Sequence, residues 1–351
     1  MFLVRIRIKF VSSKAYRREY FPEYSGEGIG LILFRERFGQ YNGVVGTSSA
    51  VPVIPAIVGP TASGKSAFAR EIAERTGGRL ISVDSRKIYR RLDIGTAKPT
   101  ADLIARYDYA MINLIEPPER YSAHKYAQAA TAVIEETLAA QRLPILVGGT
   151  GLYLRALKDG LFEGPGTDEL VRAAIRREAE AIGWEKMYEI LLEIDPEAAA
   201  KTSPRNHARI ERALEVYRLT GEPITKRQRD GQYRRPPWRF EMFGIDRPRD
   251  EVCRRIDART DRMVQDGLFE EVECLLAAGV DPDAPGMRTL GYVEAVAGLS
   301  GQITRSQAIA GIKLNTRRYA KRQLTWFLHQ EAVQWLLASE VSVETVLFRL
   351  L

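Results

Sequence analysis

Gly59-Pro60-Thr61-Ala62-Ser63-Gly64-Lys65-Ser66 has the spacing G-x-x-x-x-G-K-[ST], set between a short apolar run and a helical stretch. Glycines let backbone N–H groups close on phosphate oxygens, and the following helix N-terminus adds partial positive charge. Lys65 supplies a point charge and Ser66 a hydroxyl for Mg²⁺. The pattern specifies a polyphosphate but not which one. A second chemical group stands at Asp84, where the apolar run 80–83 ends. A carboxylate at a strand end beside such a loop can ligate Mg²⁺ or take a proton from a nucleophile. The plainer alternative is that Asp84 only caps a turn. Asp93 reads as a turn or cap residue. A third feature is the run 144–147, which ends in Gly148-Gly149-Thr150-Gly151 with no acid. Nucleoside triphosphatases commonly hold Mg²⁺ with an Asp at that place. Here the turn offers close backbone approach and a hydroxyl instead.

Something must position these groups. Short apolar runs at 53–58 (broken by Pro55), 80–83, 110–114, 144–147 and 240–245 read as strands, with helices at 67–75 and 123–140. Alternation of this kind predicts a parallel sheet whose ligands lie at the strands' carboxyl ends, where Gly59, Asp84 and Gly148 all fall. Between Gly164-Pro165 and Pro236-Pro237 the strand signal stops, and helices are expected at 168–182, 185–193 and 206–219. The expected fold is α/β, a P-loop NTPase-like doubly wound parallel sheet with an inserted all-helical subdomain. The divisions are an extension at 1–50, the first part of the core at 51–163, the insertion at 164–237, the second part at 238–340 and a tail at 341–351. Near the end, Lys313, Arg317 and Lys321 form an i, i+4 stripe with Arg318 and Arg322 beside it and Trp326-Phe327 after it. This densest basic surface reads as a nucleic-acid backbone helix. Its alternative is a helix packed by Tyr319 and Trp326 with merely solvated charges. Tyr233, Arg234, Arg235 and Trp238 read as a nucleic-acid contact or as a hinge.

Composition narrows the class. With 351 residues, 45% hydrophobic and 28% charged, the chain suits two domains or one with a large insertion. It has no apolar run long enough to span a membrane. Two cysteines (Cys253, Cys274) cannot supply a disulfide framework or a four-ligand zinc site, and three histidines add little, so a cytoplasmic setting is expected. Net charge is +7, but residues 1–50 carry eight Lys/Arg against four Asp/Glu, more than half of the surplus. Local clusters must therefore carry any argument for nucleic acid. The first fifty residues lack sustained periodicity and read as a poorly ordered extension, with Gly46-Thr47-Ser48-Ser49 as linker.

Taken together, several stretches resemble the bacterial tRNA dimethylallyltransferases. They are residues 59–66, then Ile81-Ser82-Val83-Asp84-Ser85, Asp93-Ile94-Gly95-Thr96-Ala97-Lys98-Pro99 and Val147-Gly148-Gly149-Thr150-Gly151-Leu152-Tyr153. Arg209-Ile210-Glu211-Arg212-Ala213-Leu214-Glu215-Val216, Gly291-Tyr292 and Ala320-Lys321-Arg322-Gln323-Leu324-Thr325-Trp326-Phe327 follow in the same order. The resemblance covers about residues 53–337. It implies transfer of the dimethylallyl group from dimethylallyl diphosphate to N6 of adenine 37 in the tRNA anticodon loop, with the loop at 59–66 holding diphosphate rather than ATP and Mg²⁺ as cofactor. It implies Asp84 as general base, Thr61 as a catalytic residue, and Arg259 as a diphosphate ligand. It further implies tRNA contacts from Asp84, Ser85, Arg86, Lys87, Thr150, Arg172, Ala208, Arg209, Ile210, Glu211, Arg212, Arg288, Thr289, Leu290, Gly291, Tyr292 and Val293. Partners are then tRNA and dimethylallyl diphosphate, with no membrane and a monomeric enzyme.

On the residues alone, Arg209 and Arg212 sit about one turn apart, suiting phosphate contact, while Glu/Arg pairing within the insertion is an equal alternative. Two departures stand out: Lys87 where these enzymes usually have glutamine, and Arg91 where they usually have glycine. The rival functions are a P-loop kinase of small molecules or nucleotides, an isopentenyltransferase acting on free adenine nucleotides, and a noncatalytic RNA-binding protein.

Overall fold

The computed structural model describes residues 51–160, 164–230, 236–329 and 332–350. The extension at 1–50 and the residues Tyr233, Arg234 and Arg235 lie outside these. Five strands make one sheet: β1 (Val53–Val58), β2 (Arg79–Val83), β3 (Pro144–Gly148), β4 (Arg239–Asp246) and β5 (Val333–Leu337). Their order is β2-β3-β1-β4-β5, and every pairing is parallel. The central strands are apolar throughout because helices cover both faces. Ile57, Leu80, Ile145 and Phe243 point to one face, packed by Phe68 and Ile72 of α1 (Lys65–Thr76). Ile54, Ala56, Ile81 and Leu146 point to the other. There they meet Tyr126 and Ile134 from α3 (Ala123–Ala139), the helix that follows the short α2 (Ala101–Arg106), and Leu154 from α4 (Gly151–Asp159). Pro55 is tolerated inside β1 because pairing with β3 starts only at Ala56, after the missing donor.

The segment 110–114 differs from expectation. It forms a single bridge, Ile81 to Ala110, and then turns away, with Met111 at φ 63° and Asn113 at φ 57°. Left-handed residues reverse the side-chain alternation that a strand requires. Its later N–H groups, from Asn113 and Leu114, donate to Lys87 and Ile88 instead. The real fifth strand, β5, lies beyond the basic helix and pairs with β4. The expected tail is also structural, since Val343, Val346, Leu347 and Leu350 lie on one face of a helix in the sheet core.

Two compact units result. The larger comprises the sheet and the helices flanking it. The smaller spans Asp159–Arg235. Within it lie α5 (Glu169–Ile182), α6 (Trp184–Ile194), α7 (Pro196–Ala200), α8 (His207–Thr220) and α9 (Ile224–Asp230), around Ile175, Met187, Leu191, Ile210 and Leu214. Asp168, Asp195 and Asn206 cap α5, α7 and α8 with their side chains. The remaining helices belong to the larger unit: α10 (Arg249–Gln265), α11 (Leu268–Ala277), α12 (Tyr292–Leu299), α13 (Arg305–Leu328) and α14 (Val343–Leu350).

Arg91 adopts φ 63°, a left-handed conformation that glycine takes without steric cost. Its guanidinium pairs with Glu116 at 3.1 Å, both ends well exposed. Strain of ~1 kcal/mol outweighs the few tenths such a pair contributes. Arg91→Gly is therefore expected to hold or slightly raise the thermal midpoint, and Arg91→Val to lower stability by about 1 kcal/mol. Scanning calorimetry on both variants checks this ordering.

Candidate active site

The phosphate loop joins β1 to α1. Gly59 (φ 129°) and Gly64 (φ 105°) take conformations barred to most residues, and Ala62 is left-handed at φ 64°. The backbone N–H groups of Gly64, Lys65 and Ser66 find no acceptor among the described residues, so they are open to an anion at the N-terminus of α1. Lys65 Nζ folds back to donate to the Pro60 carbonyl at 3.0 Å. The Ser66 hydroxyl makes no hydrogen bond among the described residues. Ser63 is inward-facing and fully buried.

Three arginines hold this loop. Arg247, just past β4, donates to the Ser63 carbonyl at 3.1 Å. Arg255 donates to the Ala62 carbonyl at 2.9 Å, and Arg259 to Thr61 Oγ1 at 3.0 Å. Arg255 and Arg259 are one turn apart on α10, on the face turned to the loop, whereas Arg254 pairs outward with Asp250. Gln323 of α13 completes the frame. It accepts from the Thr61 N–H at 2.8 Å and donates to the Gly149 carbonyl at 2.9 Å, tying the loop to the Gly-Gly-Thr turn after β3. That turn has no room for side chains: a Cβ on Gly148 would lie 2.0 Å from the Val83 carbonyl oxygen, and one on Gly149 2.2 Å from Gln323 Nε2.

Asp84 leaves the end of β2 on the same edge of the sheet. Its Oδ1 accepts the N–H groups of Arg86 (2.9 Å) and Lys87 (3.4 Å), so it does cap the turn. Its Oδ2 accepts no hydrogen bond among the described residues. Thr150 N–H donates to the Val83 carbonyl, and Thr150 Oγ1 accepts from Ser85 N–H at 3.0 Å, which locks the two strand ends together. Burial pushes Lys65 down to about 7; repulsion from Lys87 adds to this and attraction to Asp84 opposes it. Burial likewise lowers Lys87 and Arg259, again opposed by Asp84. One carboxylate thus shares a recess with three partly desolvated cations, a site short of negative charge.

An entering diphosphate supplies that charge and restores the Lys65 proton. Binding of inorganic diphosphate at pH 8 is expected to take up roughly 0.9 of a proton more in the wild type than in Lys65→Met, and little more at pH 6. Calorimetry in two buffers of different ionisation enthalpy reads that difference, and equal uptake by both proteins at pH 8 would contradict it.

Other candidates fall into place unevenly. Arg288 and Val293 are exposed, and Leu290 is half-buried. Thr289, Gly291 and Tyr292 are buried. The Tyr292 hydroxyl donates to Glu271, whose carboxylate also accepts the N–H groups of Asp93, Ile94 and Gly95. Burial, followed by Glu271, pushes the Tyr292 hydroxyl well up. Through Glu271 the Tyr292 hydroxyl is tied to the segment 93–98, where Asp93 pairs with Lys98. In the insertion, Ala208 and Arg209 are exposed, but Ile210 sits in the core. Arg172 and Arg212 both bind Glu215, at 2.9 and 2.6 Å, and Glu211 binds Arg176. Burial raises the Glu215 carboxyl, but hydrogen bonds from Arg172, Arg212 and the Asp168 N–H together hold it below its usual range. Arg172, Arg176 and Arg212 are thus ion-paired within the insertion.

The basic stripe is likewise partly committed, since Lys313 pairs with Asp261 at 2.6 Å and Arg317 with Asp257 at 2.8 Å. Those acids lie on α10, one helical turn apart. Gln323, Arg247, Arg255 and Glu271 were not singled out from sequence. Gln323 had a signal, a polar residue on the stripe Ala320, Gln323, Phe327 that is otherwise apolar and buried.

Comparison with known proteins follows this geometry. Residues 87–330 match a family model described as IPP transferase, and residues 52–113 match one described as isopentenyl transferase. The tRNA dimethylallyltransferase of Geobacter sulfurreducens is 42% identical over 279 residues, 80% of this chain and 90% of that protein. That of Thermomicrobium roseum is 45% identical over 286 residues, 81% of this chain and 85% of that protein. The solved structure of a full-length tRNA isopentenylpyrophosphate transferase from Bacillus halodurans superimposes with a TM-score of 0.62 at 36% identity, covering 86% of this chain and 94% of that one. A eukaryotic dimethylallyltransferase structure, at 23% identity and a TM-score of 0.68, shares the fold. On the family match and on these relatives, this chain belongs to the IPP transferase family.

Proposed function

We propose that the protein transfers the dimethylallyl group of dimethylallyl diphosphate to N6 of adenine 37 in the tRNA anticodon loop and releases diphosphate. The observation that carries this reading is the charge arrangement at the sheet edge: Asp84, with one carboxylate oxygen free, shares a recess with Lys65, Lys87 and Arg259 beside open backbone donors. A kinase or ATPase reading lacks the acid that would follow β3, where Gly148, Gly149 and Thr150 stand.

A bond forms between adenine N6 and the allylic carbon as the bond from that carbon to the diphosphate oxygen breaks. Asp84 takes the proton that N6 loses. Negative charge builds on the departing oxygens, and the N–H groups of Gly64, Lys65 and Ser66, the Lys65 ammonium and Arg259 are placed to receive it. Thr61, oriented by Arg259 and Gln323, keeps the loop in register with that guanidinium.

Among the described residues no group of three or more His, Cys, Asp or Glu could cage a metal. The donor set instead fits Mg²⁺ carried by substrate: the disengaged Ser66 hydroxyl would hold it together with diphosphate oxygens. When bound, the ion supplies charge neutralisation to the leaving group. No helix among the described residues is long and apolar enough to cross a membrane. The protein is proposed to act as a monomer, in the cytoplasm. The test is transfer of label from dimethylallyl diphosphate to unmodified tRNA with Mg²⁺, with AMP and ATP as parallel acceptors. Label on tRNA alone supports the proposal. Label on AMP or ATP would move the activity to free nucleotides.

A further inference from the structure

The turn that carries Asp84 is tied to a buried ammonium. Lys98 closes the segment 93–98, and its side chain is only 2% exposed. Its Nζ donates to the Tyr89 carbonyl at 2.6 Å, to Asn113 Oδ1 at 2.7 Å and to the Asp93 carboxylate. An ammonium has three N–H donors, and here each has an acceptor. Burying a charge is costly, and an apolar side chain would fill the same space without that cost. The three bonds are therefore what a lysine adds at this position.

Two of those acceptors border the turn that Asp84 caps. Asp84 Oδ1 accepts the N–H groups of Arg86 and Lys87, and Tyr89 closes the turn with its N–H on the Arg86 carbonyl at 3.2 Å. Asn113 approaches from the other side and gives its own N–H to the Lys87 carbonyl at 3.1 Å. Lys98 thus holds the residue that closes the turn and the residue that is bonded to Lys87. The segment bearing Lys98 is itself fixed at its far end. The N–H groups of Asp93, Ile94 and Gly95 converge on Glu271 of α11, which also takes the hydroxyl of Tyr292 at the start of α12.

We propose that Lys98 is a positioning residue for the general base, setting the direction of the Asp84 carboxylate through the turn 86–89 and Asn113. The proposal rests on the prenyl-transfer reading above and adds a residue to it. Asp84 Oδ2, the oxygen left to take the proton, accepts no hydrogen bond among the described residues, so its direction follows from the two bonds at Oδ1. Those bonds come from a backbone that Lys98 and Asn113 hold in place. Proton transfer requires the base within hydrogen-bond reach of the reacting nitrogen, so a small drift of the turn lowers the rate without touching the phosphate loop.

The test is a double-mutant cycle on label transfer from dimethylallyl diphosphate to unmodified tRNA. It uses wild type, Lys98→Met, Asp84→Asn and the two changes combined, with both KM values and the thermal midpoint alongside. Methionine has a stem like that of lysine but no donor. Lys98→Met is expected to lower kcat about 30-fold while KM for dimethylallyl diphosphate stays within about twofold. On the Asp84→Asn background no base remains to be aimed, and the same change is expected to cost less than about threefold. Asn113→Gly is the milder variant. It deletes one acceptor of the ammonium, keeps the N–H to Lys87 and takes the φ of 57° freely, so a loss in kcat of about fivefold is expected. Should Lys98→Met fail to fold, the cycle is run with Asn113→Gly and judged in the same way. Equal losses on both backgrounds would overturn the proposal, because a residue that only holds the fold affects both alike. A raised diphosphate KM at constant kcat would overturn it as well. A wild type that labels no tRNA would instead sink the prenyl-transfer reading, and with it the step that Lys98 serves.

Discussion

Asp84→Asn is expected to lower kcat for prenyl transfer to tRNA by about 10³-fold while leaving tRNA affinity and the thermal midpoint near wild type. The substitution is chosen for its geometry. An amide oxygen still accepts the N–H groups of Arg86 and Lys87, so the turn after β2 survives. What disappears is the base and one negative charge. Asp84 is the countercharge that the recess gives Lys65, Lys87 and Arg259. Without it the site is more positive, so KM for dimethylallyl diphosphate should stay level or fall as kcat collapses. Steady-state kinetics with each substrate varied separates the two constants. A loss below tenfold would remove Asp84 from the proton transfer. A rise in diphosphate KM would mean that its role is holding substrate.

Gln323→Leu should damage stability and activity together. It strips the acceptor from Thr61 N–H and the donor from the Gly149 carbonyl in a largely buried place. Each stranded group costs about 1–3 kcal/mol, so a total near 3 kcal/mol in urea unfolding is expected. With the loop and the turn no longer tied, Arg259 and Asp84 lose their common frame, and kcat/KM should fall about 10²-fold. Gln323→Glu retains the acceptor for Thr61 but sets a carboxylate oxygen against the Gly149 carbonyl, and should fare little better. If Gln323→Leu unfolds within 0.5 kcal/mol of wild type, the bridge is not formed in solution.

The sheet edge was legible because its signals are local. Residues 59–66 need only their own spacing and neighbours, and Gly148-Gly149 follows an unbroken apolar run. The segment 110–114 has the apolar content of a strand, but Met111 and Asn113 take left-handed conformations that composition does not reveal. Strand β5 was missed because Val-Gln-Trp-Leu-Leu, partly exposed, carries a weak apolar signal. The basic stripe was legible as charge, but not its partners: Asp257 and Asp261 lie more than fifty residues earlier, and the i, i+4 match between the two helices exists only once they pack. Gln323 shows the same limit, since nothing in its neighbourhood announces a phosphate loop 262 residues away.

That separation bears on how the molecule comes into being. The loop is made early in synthesis, but Arg247 follows Ser63 by 184 residues, Arg259 follows Thr61 by 198 and Gln323 by 262. Closing an interval of 262 residues costs about 1.5 kcal/mol more chain entropy than closing the 43 residues between Arg172 and Glu215. The insertion's ion pairs can therefore form on a nascent chain while the loop is still without its clamps. A chain truncated before residue 323 keeps the phosphate motif but lacks the frame that holds it. Competence arrives late in translation, no earlier than the last stretch of α13.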